Sequence, residues 1–373
     1  MPCELANPRT AMVIAVLFNL KPATEDQSTQ EEEEPPDSYA EWDDLETVLA
    51  VRDALSSEGE VVLIEANEDC FDRLRRIRPD IVFNIAEGQR GLSRESHVPS
   101  MLEFLGIPYT GSSPLTLSLC LDKARCKEIL VYHAIPTPRF VLIDDGSSAE
   151  KAAQLPFPLM VKPVMEGSSK GITNDCLVWN IDDCRSQATK LLRLYRQPVL
   201  IEEFLPGSEF TVGIIGNYPD VQVLPIVEIR FDGLPPGANP IYSYEAKWVW
   251  DRAEAPVGIL DCPAKIPLDL ARQIADTAVL AFRALGCRDW CRIDMRLDAK
   301  GQPHVLEVNP LPGVLPDPNQ HSCLPQAARA AGMTYDQLIQ AVFHAALNRY
   351  GIARTQPGAL QKDDSPWKDG VSA

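Results

Sequence analysis

The sequence lacks the features that mark membrane, secreted or nucleic-acid-binding proteins. Its longest early apolar run, AMVIAVLFNL (11–20), is too short to cross a bilayer, and it has no basic n-region and no small-residue cleavage site. We therefore expect a buried strand there rather than a signal peptide, in a cytoplasmic protein. The formal net charge of −18 argues against nucleic acid and anionic membranes as partners.

Familiar metal and cofactor motifs are missing as well. The ten cysteines are scattered with no CxxC pair, so neither a zinc site nor a disulfide framework is expected, and free thiols fit a reducing cytoplasm. There is no GxxxxGK[ST] loop and no GxGxxG fingerprint, which excludes the P-loop and the Rossmann dinucleotide motif. The sequence also has no internal repeat.

The sequence does contain the pattern of a multidomain α/β and α+β protein. A chain of 373 residues is expected to form two or three domains. Strands alternate with helices over residues 1–118, which predicts an open parallel sheet carrying an acidic loop at 22–38. A small α+β unit is predicted for residues 119–205, a second unit for 206–352 and a disordered tail for 353–373.

Two local predictions concern the connections between these units. The segment LTLSLCLDKARCKEILVYHAI (115–135) is predicted to form one connecting helix that ends before Pro136. The segment IYSYEAKW (241–248) is predicted to form a strand of the last unit.

The stretch RIDMRLDAKGQPHVLEVNPLPG (292–313) places polar side chains on a predicted hairpin. Alternate residues of a strand share a face, so Arg292, Asp294 and Arg296 are predicted to point away from the apolar residues between them. On the second strand, Leu306 and Val308 are predicted to lie on one face. Val305, Glu307 and Asn309 are predicted to lie on the opposite face.

The oxygen-bearing side chains of this polar face are suited to magnesium. Asp294 and Glu307 offer carboxylates and Asn309 offers an amide oxygen. Mg²⁺ favours such hard oxygen ligands, keeps several waters and shares its shell with nucleotide phosphates. The hairpin alone leaves open an alternative, in which the charges are merely solvated.

Four lysines and a glycine-serine loop are candidates for phosphate binding. The loop EGSSKGI (166–172) has exposed N–H and O–H groups that could wrap anionic oxygens. The lysines are Lys123, Lys162, Lys170 and Lys247. Taken singly, each lysine is also explained as a surface residue and the loop as a plain turn.

Taken in order, these motifs resemble the ATP-grasp enzymes and, among them, the D-alanine–D-alanine ligases. The segments that carry the resemblance are KPVMEGSSKG, VLIEEFLPGSEFTV, YEAK, and RIDMRLD followed by EVNPLPG. GIPYTGS before LDKAR, and the late stretch HSCLPQAARAAGMTYDQL, resemble the same enzymes, so the match runs from about residue 80 to 350. The resemblance implies an ATP-grasp fold preceded by an open parallel-sheet domain.

The resemblance also implies roles for individual residues. The positions that match the nucleotide site are Lys123, Lys162 and Lys247 for ATP and its phosphates, Glu202 and Leu205 for adenine, and Glu209 for ribose. Asp294, Glu307 and Asn309 would hold two Mg²⁺ ions, with Mn²⁺ as a possible substitute. The polar face of the hairpin and the implied metal site thus name the same three residues.

The implied reaction joins a small carboxylic acid to the amine of an amino acid through an acyl phosphate. Arg292 and the N–H of Gly313 would stabilise the oxyanion, and Ser168 would hold the loop and the first substrate. Ser322 would bind the carboxylate of the second substrate, and a helix N-cap is an alternative role that does not exclude this one. Because family members are often dimers, a homodimer is possible.

The sequence departs from the family around the first substrate. The GGxSxExxVS signature is absent, although Glu41 lies near the place of its glutamate. AEGQRGLSRES replaces HGxxGEDG, which puts Glu87, Arg94 and Glu95 at the carboxyl end of a strand, where ligands bind. Arg94 there could contact substrate or only form ion pairs. The tyrosine expected after YEAK is Trp248.

We therefore expect the first substrate to be a carboxylic acid other than D-alanine. One alternative is a true D-alanine–D-alanine ligase of peptidoglycan synthesis. A second alternative is a non-catalytic ATP-binding protein, against which the intact set of metal-binding residues argues.

Overall fold

The computed structural model describes residues 11–22, 35, 37–250, 258–320 and 322–353. The tail predicted for 353–373, apart from its first residue, and much of the predicted acidic loop at 22–38 lie outside them. None of the helices formed by the described residues is long and apolar enough to cross a membrane.

An open parallel sheet forms the first unit, as the alternation of strands and helices predicts. Its elements are β1 (Val13–Phe18), α1 (Leu45–Leu55), β2 (Glu60–Glu65), α2 (Cys70–Ile77) and β3 (Ile81–Asn84). The strand order is β2-β1-β3, with parallel pairing on both sides of β1. β1 is buried along its length because Val16 packs in one core with α1 and Leu17 in another with α2.

The connection to the second unit is not the single helix predicted for residues 115–135. The helices are α3 (His97–Leu105), α4 (Pro114–Leu121) and α5 (Lys123–Tyr132). Asp122 has an extended backbone, and its side chain accepts hydrogen bonds from the N–H groups of Ala124 and Arg125. The prediction was wrong because this N-cap ends one helix and begins another, with Lys123 as the first residue of α5.

The second unit is an antiparallel sheet covered by one helix. Its elements are β4 (Phe140–Ile143), β5 (Leu159–Pro163), β6 (Leu177–Val178), α6 (Ile181–Tyr195) and β7 (Val199–Glu203). The strand order is β4-β7-β5-β6. β5 carries Lys162 and β7 carries Glu202, and both side chains line the cavity described below.

The third unit is a larger antiparallel sheet. Its strands are β8 (Glu209–Asn217), β9 (Asp220–Val223), β10 (Val227–Ile229), β11 (Leu260–Asp261), β12 (Trp290–Leu297) and β13 (Pro303–Asn309). Its helices are α7 (Leu268–Ala284), α8 (Cys323–Ala330) and α9 (Tyr335–Tyr350). The order is β11-β10-β8-β12-β13, with β9 paired to β8. The predicted hairpin is β12 and β13, at the edge of this sheet.

The strand predicted over residues 241–248 is wrong, because its second half is helical. Glu245–Trp250 forms a short π-helical turn. The hydroxyl of Ser243 accepts the N–H of Ala246, and the carbonyl of Ser243 accepts the N–H of Lys247. These local hydrogen bonds replace the pairing that a strand would have needed.

Candidate active site

The polar face of the hairpin lies in a cleft between the second and third sheets. Arg292, Asp294 and Arg296 follow one another along β12 and line a cavity of about 120 Å³ together with Lys162 from β5. The residues between them, such as Ile293, are buried in the core of the sheet. The alternation predicted for this strand is therefore confirmed.

The three side chains predicted to bind magnesium converge at the centre of this cleft. Asn309 Nδ2 is 3.1 Å from Asp294 Oδ2 and 3.5 Å from Glu307 Oε1. Arg292 donates from Nε and Nη2 to the two oxygens of Asp294, over 3.0 and 2.9 Å. The hydroxyl of Thr211 on β8 also donates to Asp294. These bonds fix the orientation of the Asp294 carboxylate.

This donor set fits an ion that shares its shell with other ligands. Within the described parts of the chain, no group of three or more His, Cys, Asp or Glu side chains is arranged to hold a metal ion. Asp294, Glu307 and Asn309 instead supply two carboxylates and one amide, which leaves positions for water and phosphate oxygens around Mg²⁺. They would therefore hold the ion together with a nucleotide rather than alone.

A β-bulge on β13 changes the faces that the sequence predicts for this strand. Asp294 pairs with Glu307, but the next residue of β12 pairs with Val305, so Leu306 is an extra residue. Leu306 and Glu307 both line the cavity, whereas Val305 and Val308 are both buried in the core. The prediction that Leu306 shares a face with Val308, and Val305 with Glu307, was therefore wrong.

Cations surround the carboxylate of Glu307 at this centre. Lys123 Nζ is 3.2 Å from Glu307 Oε2. Burial would raise the pKa of Glu307, but Lys123, Lys162 and Arg292 hold that pKa well below its usual range. Burial, with repulsion from Arg292, lowers the pKa of Lys247 to about 8. Glu307 is thus a carboxylate at neutral pH, surrounded by cations.

At the other end of the cavity, Glu202 lies between two buried lysines. Its Oε1 is 2.6 Å from Lys162 Nζ, and its Oε2 is 2.9 Å from Lys127 Nζ. Sequence reasoning missed Lys127. The signal was present, because Lys127 follows Lys123 by four residues on α5 and therefore leaves the same side of the helix.

A second cavity of about 100 Å³ adjoins the first and shares Ser168, Lys247, Arg292 and Glu307 with it. Of the predicted site residues, the first cavity is lined by Ser168, Lys162, Glu202, Leu205, Glu209, Lys247, Arg292, Asp294 and Glu307. The second is lined by Glu87, Glu95, Lys123, Ser168, Lys247, Arg292, Glu307, Asn309, Gly313 and Ser322. Arg94 lines neither of these two cavities.

Glu41 also lines the second cavity, but groups of the protein already satisfy its carboxylate. Arg94 Nη2 lies 3.0 and 2.9 Å from its two oxygens, and Lys170 Nζ lies 2.9 Å from Oε2. The N–H of Gly167 donates to Oε1 at 2.6 Å. Burial would raise the pKa of Glu41, but the two cations lower it to about 2.

Arg94 and Lys170 belong to one ion-pair network behind this cavity. Arg94 Nη1 donates to the carbonyl of Met165 at 2.8 Å, and its Nη2 lies 3.3 Å from Glu166. Lys170 lies 2.5 Å from the same Glu166 carboxylate. Arg94 therefore forms an ion-pair cluster, which is one of the two roles left open for it, and Lys170 belongs to the same cluster.

Glu87 and Glu95 differ from Glu41 because no cation is paired with either. No hydrogen bond or ion pair joins either side chain to another described residue. Burial, with repulsion from Glu95, raises the pKa of Glu87 well above its usual range. Burial also raises the pKa of Glu95 to about 7, against the attraction of Arg94. These two carboxyl groups are free acceptors in the second cavity, as is that of Asp43, whose pKa burial raises to about 7.

Comparison with known proteins identifies the family. The family model described as the D-ala D-ala ligase C-terminus matches residues 129–344. A D-alanine–D-alanine ligase of Bordetella petrii is 36% identical over 307 residues, which are 82% of this chain and 88% of that protein. The chain belongs to the D-alanine–D-alanine ligase family.

Two further relatives of this ligase extend the comparison. The protein y4sG of Sinorhizobium fredii, whose name gives no activity, is 37% identical over 85% of this chain and 91% of its own. The crystal structure of a Bacillus anthracis D-alanine–D-alanine ligase complexed with ATP has a TM-score of 0.65 and 25% identity, covering 91% of this chain and 99% of that one. The ATP-grasp fold and the class of ATP-dependent ligases that form C–N bonds are thereby confirmed.

Two positions of the ligase motifs need separate description. Ser322 takes the N-cap position of α8, but its hydroxyl does not cap the helix. That hydroxyl donates to the carbonyl of Gly313 at 3.0 Å and accepts the N–H of Leu315 at 3.3 Å, so it holds the LPG turn against α8. Trp248 lies in the turn beside Lys247, and its side chain is outside the described part of the structure.

Proposed function

We propose that this ligase activates a carboxylic acid other than D-alanine as an acyl phosphate and joins it to the amine of an amino acid. The observation that carries the proposal is that Arg94, Lys170 and the N–H of Gly167 already satisfy Glu41. A carboxylate neutralised in this way is a poor anchor for the ammonium of D-alanine. Glu87, Glu95 and Asp43 are acceptors left for a different substrate group.

In the first step, the γ-phosphoryl group of ATP passes to a carboxylate oxygen of the acid, and ADP is released. The nucleoside would lie against Glu202, Leu205 and Glu209, with Lys162 and Lys247 at the phosphates. Two magnesium ions, held by the hairpin, would neutralise the negative charge of the phosphates. Lys123, which pairs with Glu307, would keep that carboxylate ionised until the nucleotide binds.

In the second step, the amine attacks the carbonyl carbon of the acyl phosphate. The amine loses a proton, and phosphate leaves with the electrons of the broken C–O bond. Arg292 and the N–H of Gly313 line the cavity where the oxyanion would form, and Arg292 is held in place by Asp294. Ser322 lies beside them, where it would bind the carboxylate of the amino acid. Ser168 lies in the loop that would exclude water.

Phosphate release from ATP, measured with a panel of carboxylic acids and amino acids, tests this proposal. We expect release to require an acid–amine pair and to be weak with D-alanine alone. The variant E307Q should be inactive with every pair, because it removes a carboxylate from the metal site, and this controls for contaminating ATPases.

Strong and exclusive turnover of D-alanine would instead support the alternative of a D-alanine–D-alanine ligase. That alternative is favoured by the names of relatives such as the Bordetella petrii enzyme. The variant E41Q separates the two: it should abolish the reaction if Glu41 binds substrate. It should mainly lower stability if Glu41 only holds Arg94 and Lys170.

A further inference from the structure

Arg296 is buried in the nucleotide cavity with an incomplete set of partners. Its side chain is 5% exposed, and it lines the same cavity as Glu202 and Leu205. Nη1 donates to Glu209 Oε2 over 2.8 Å. Nε is buried and has no hydrogen-bond partner among the described residues. One donor of this guanidinium therefore still lacks an acceptor.

The surroundings of Arg296 supply little to satisfy that donor. A guanidinium carries five N–H donors and accepts nothing, so a single carboxylate oxygen leaves it poorly compensated. Burial lowers the pKa of Arg296 in spite of the attraction of Glu209. A buried donor without an acceptor is costly, and a ligand that brings an acceptor into the cavity would remove that cost.

The guanidinium is held firmly and cannot easily turn towards water. Its carbon lies 4.4 Å from the centre of the Phe204 ring and 5.2 Å from that of Phe231. Glu209 holds it from a third direction. These contacts favour one orientation of the cation, so Arg296 does not turn towards an acceptor and a ligand has to bring the acceptor to it.

The position of Arg296 on β12 indicates which part of a nucleotide it meets. Arg292, Asp294 and Arg296 are spaced two residues apart, which is about 7 Å per step along a strand. Asp294 marks the phosphate end, because Glu307 and Asn309 converge on it. Arg296 is one step further, against Glu209 and Phe204 in the cavity that Glu202 and Leu205 also line, and this is where the ribose and base of the nucleotide would lie.

We infer that Arg296 is a specificity-determining residue for the nucleotide: its Nε donates a hydrogen bond to an acceptor atom of the ribose or of the base. The inference rests on the proposed function only in taking ATP as the nucleotide. Glu209 then has two roles: it makes the ribose contact implied by its motif, and it positions Arg296.

Calorimetric binding of ADP with magnesium, without acid or amine, tests the inference. R296M removes the donor at similar length, and R296K keeps a cation for Glu209 but has no Nε. Both are expected to bind ADP about tenfold more weakly than the parent. R272M is the matched control, since Arg272 is an exposed arginine that pairs with the exposed Asp269 and lines neither cavity, and it should bind normally.

ADP analogues identify the acceptor: 1-deaza-ADP, 3-deaza-ADP and 7-deaza-ADP each lack one ring-nitrogen acceptor of the base, and 2′-deoxy-ADP and 3′-deoxy-ADP each lack a ribose hydroxyl. The analogue without the acceptor should bind the parent about tenfold more weakly than ADP does, yet bind R296M as well as ADP does. ADP affinity within twofold of the parent in both R296M and R296K would overturn the inference, as would equal losses for every analogue in parent and variant.

A folding defect in R296M is separated by thermal melting and by the double variant R296M/E209Q. The double variant leaves no unpaired carboxylate behind, so it should melt close to the parent, whereas the ADP affinity is judged on R296M and R296K, which keep Glu209. Because no acid or amine is present, this outcome is independent of whether the proposed ligation occurs.

Discussion

Glu41 and Glu95 line the same cavity, yet folding moves their pKa values in opposite directions. Both are buried, but Arg94 and Lys170 pair directly with Glu41 and lower its pKa to about 2. Glu95 has no such partner, and burial raises its pKa to about 7. Direct ion pairing therefore decides which carboxylate is left for a substrate.

This difference predicts the pH dependence of the reaction. Glu95 carries a charge to attract a cationic group, and can accept hydrogen bonds without itself donating, only when it is ionised, so kcat/KM for the acid substrate should rise with pH through about 7. In E95Q we expect the rise to be much reduced and the value above pH 7 to be lower. The matched control is E128Q, since Glu128 is an exposed glutamate outside the cavity. A parent profile that is flat between pH 6 and 8 would contradict the assignment.

The same shift predicts a change in stability of known sign. Folding raises the pKa of Glu95 from 4.5 to about 7, so the folded state binds the proton more tightly than the unfolded state. The stability that Glu95 contributes is present below the unfolded pKa and is lost as the pH rises through about 7. Thermal melts should therefore show E95Q gaining stability relative to the parent between pH 4 and pH 8.

Among the secondary-structure elements, β13 shows how one extra residue decides which side chains line the cavity. Because of the bulge, the neighbouring residues Leu306 and Glu307 both line the cavity, while Val305 is buried in the core. In an uninterrupted strand, consecutive side chains point to opposite faces of the sheet.

A matched pair of variants tests the bulge. Val305→Asn puts an amide into the core and should lower the free energy of unfolding by about 3 kcal/mol. Leu306→Asn puts the same amide into a cavity that already has polar walls, so it should melt close to the parent while weakening ADP binding. Thermal melting and calorimetry of both variants decide the matter. If Leu306→Asn were instead the less stable variant, Leu306 would face the core and Val305 would face the cavity.

The features of the fold and the site that could be predicted from the sequence are those that depend on a local pattern of residues. β1 was predicted because an unbroken apolar run of its length is typical of a central parallel strand. The face of β12 was predicted because its alternation is regular. The bulge at Leu306 was not, because the pairing with β12 determines the register of β13. The ion pairs of Glu41 also join positions far apart in the sequence, and no spacing indicates them.

Across the whole molecule, Asp289 joins segments that are distant in sequence. It is fully buried, and it accepts the N–H of Gly111 at 2.8 Å and the amide of Asn217 at 2.8 Å. Arg349, at the end of α9, donates to both of its oxygens over 3.1 and 2.6 Å. One carboxylate thus connects the first unit, β8 and the last helix. It lies five residues from Asp294, about 16 Å along the strand direction.

We expect D289N to destabilise the protein without changing its chemistry. The neutral amide cannot accept on both sides, and Arg349 would lose its charge partner in a largely buried position, at a cost of about 3 kcal/mol. The melting temperature should therefore fall by several degrees, while KM for ATP stays the same because the cavity is at the other end of β12. D269N is the control, since Asp269 is an exposed partner of Arg272 and its loss should change neither quantity. A normal melting temperature combined with a raised KM would mean that Asp289 acts on the nucleotide site rather than on the joining of the units.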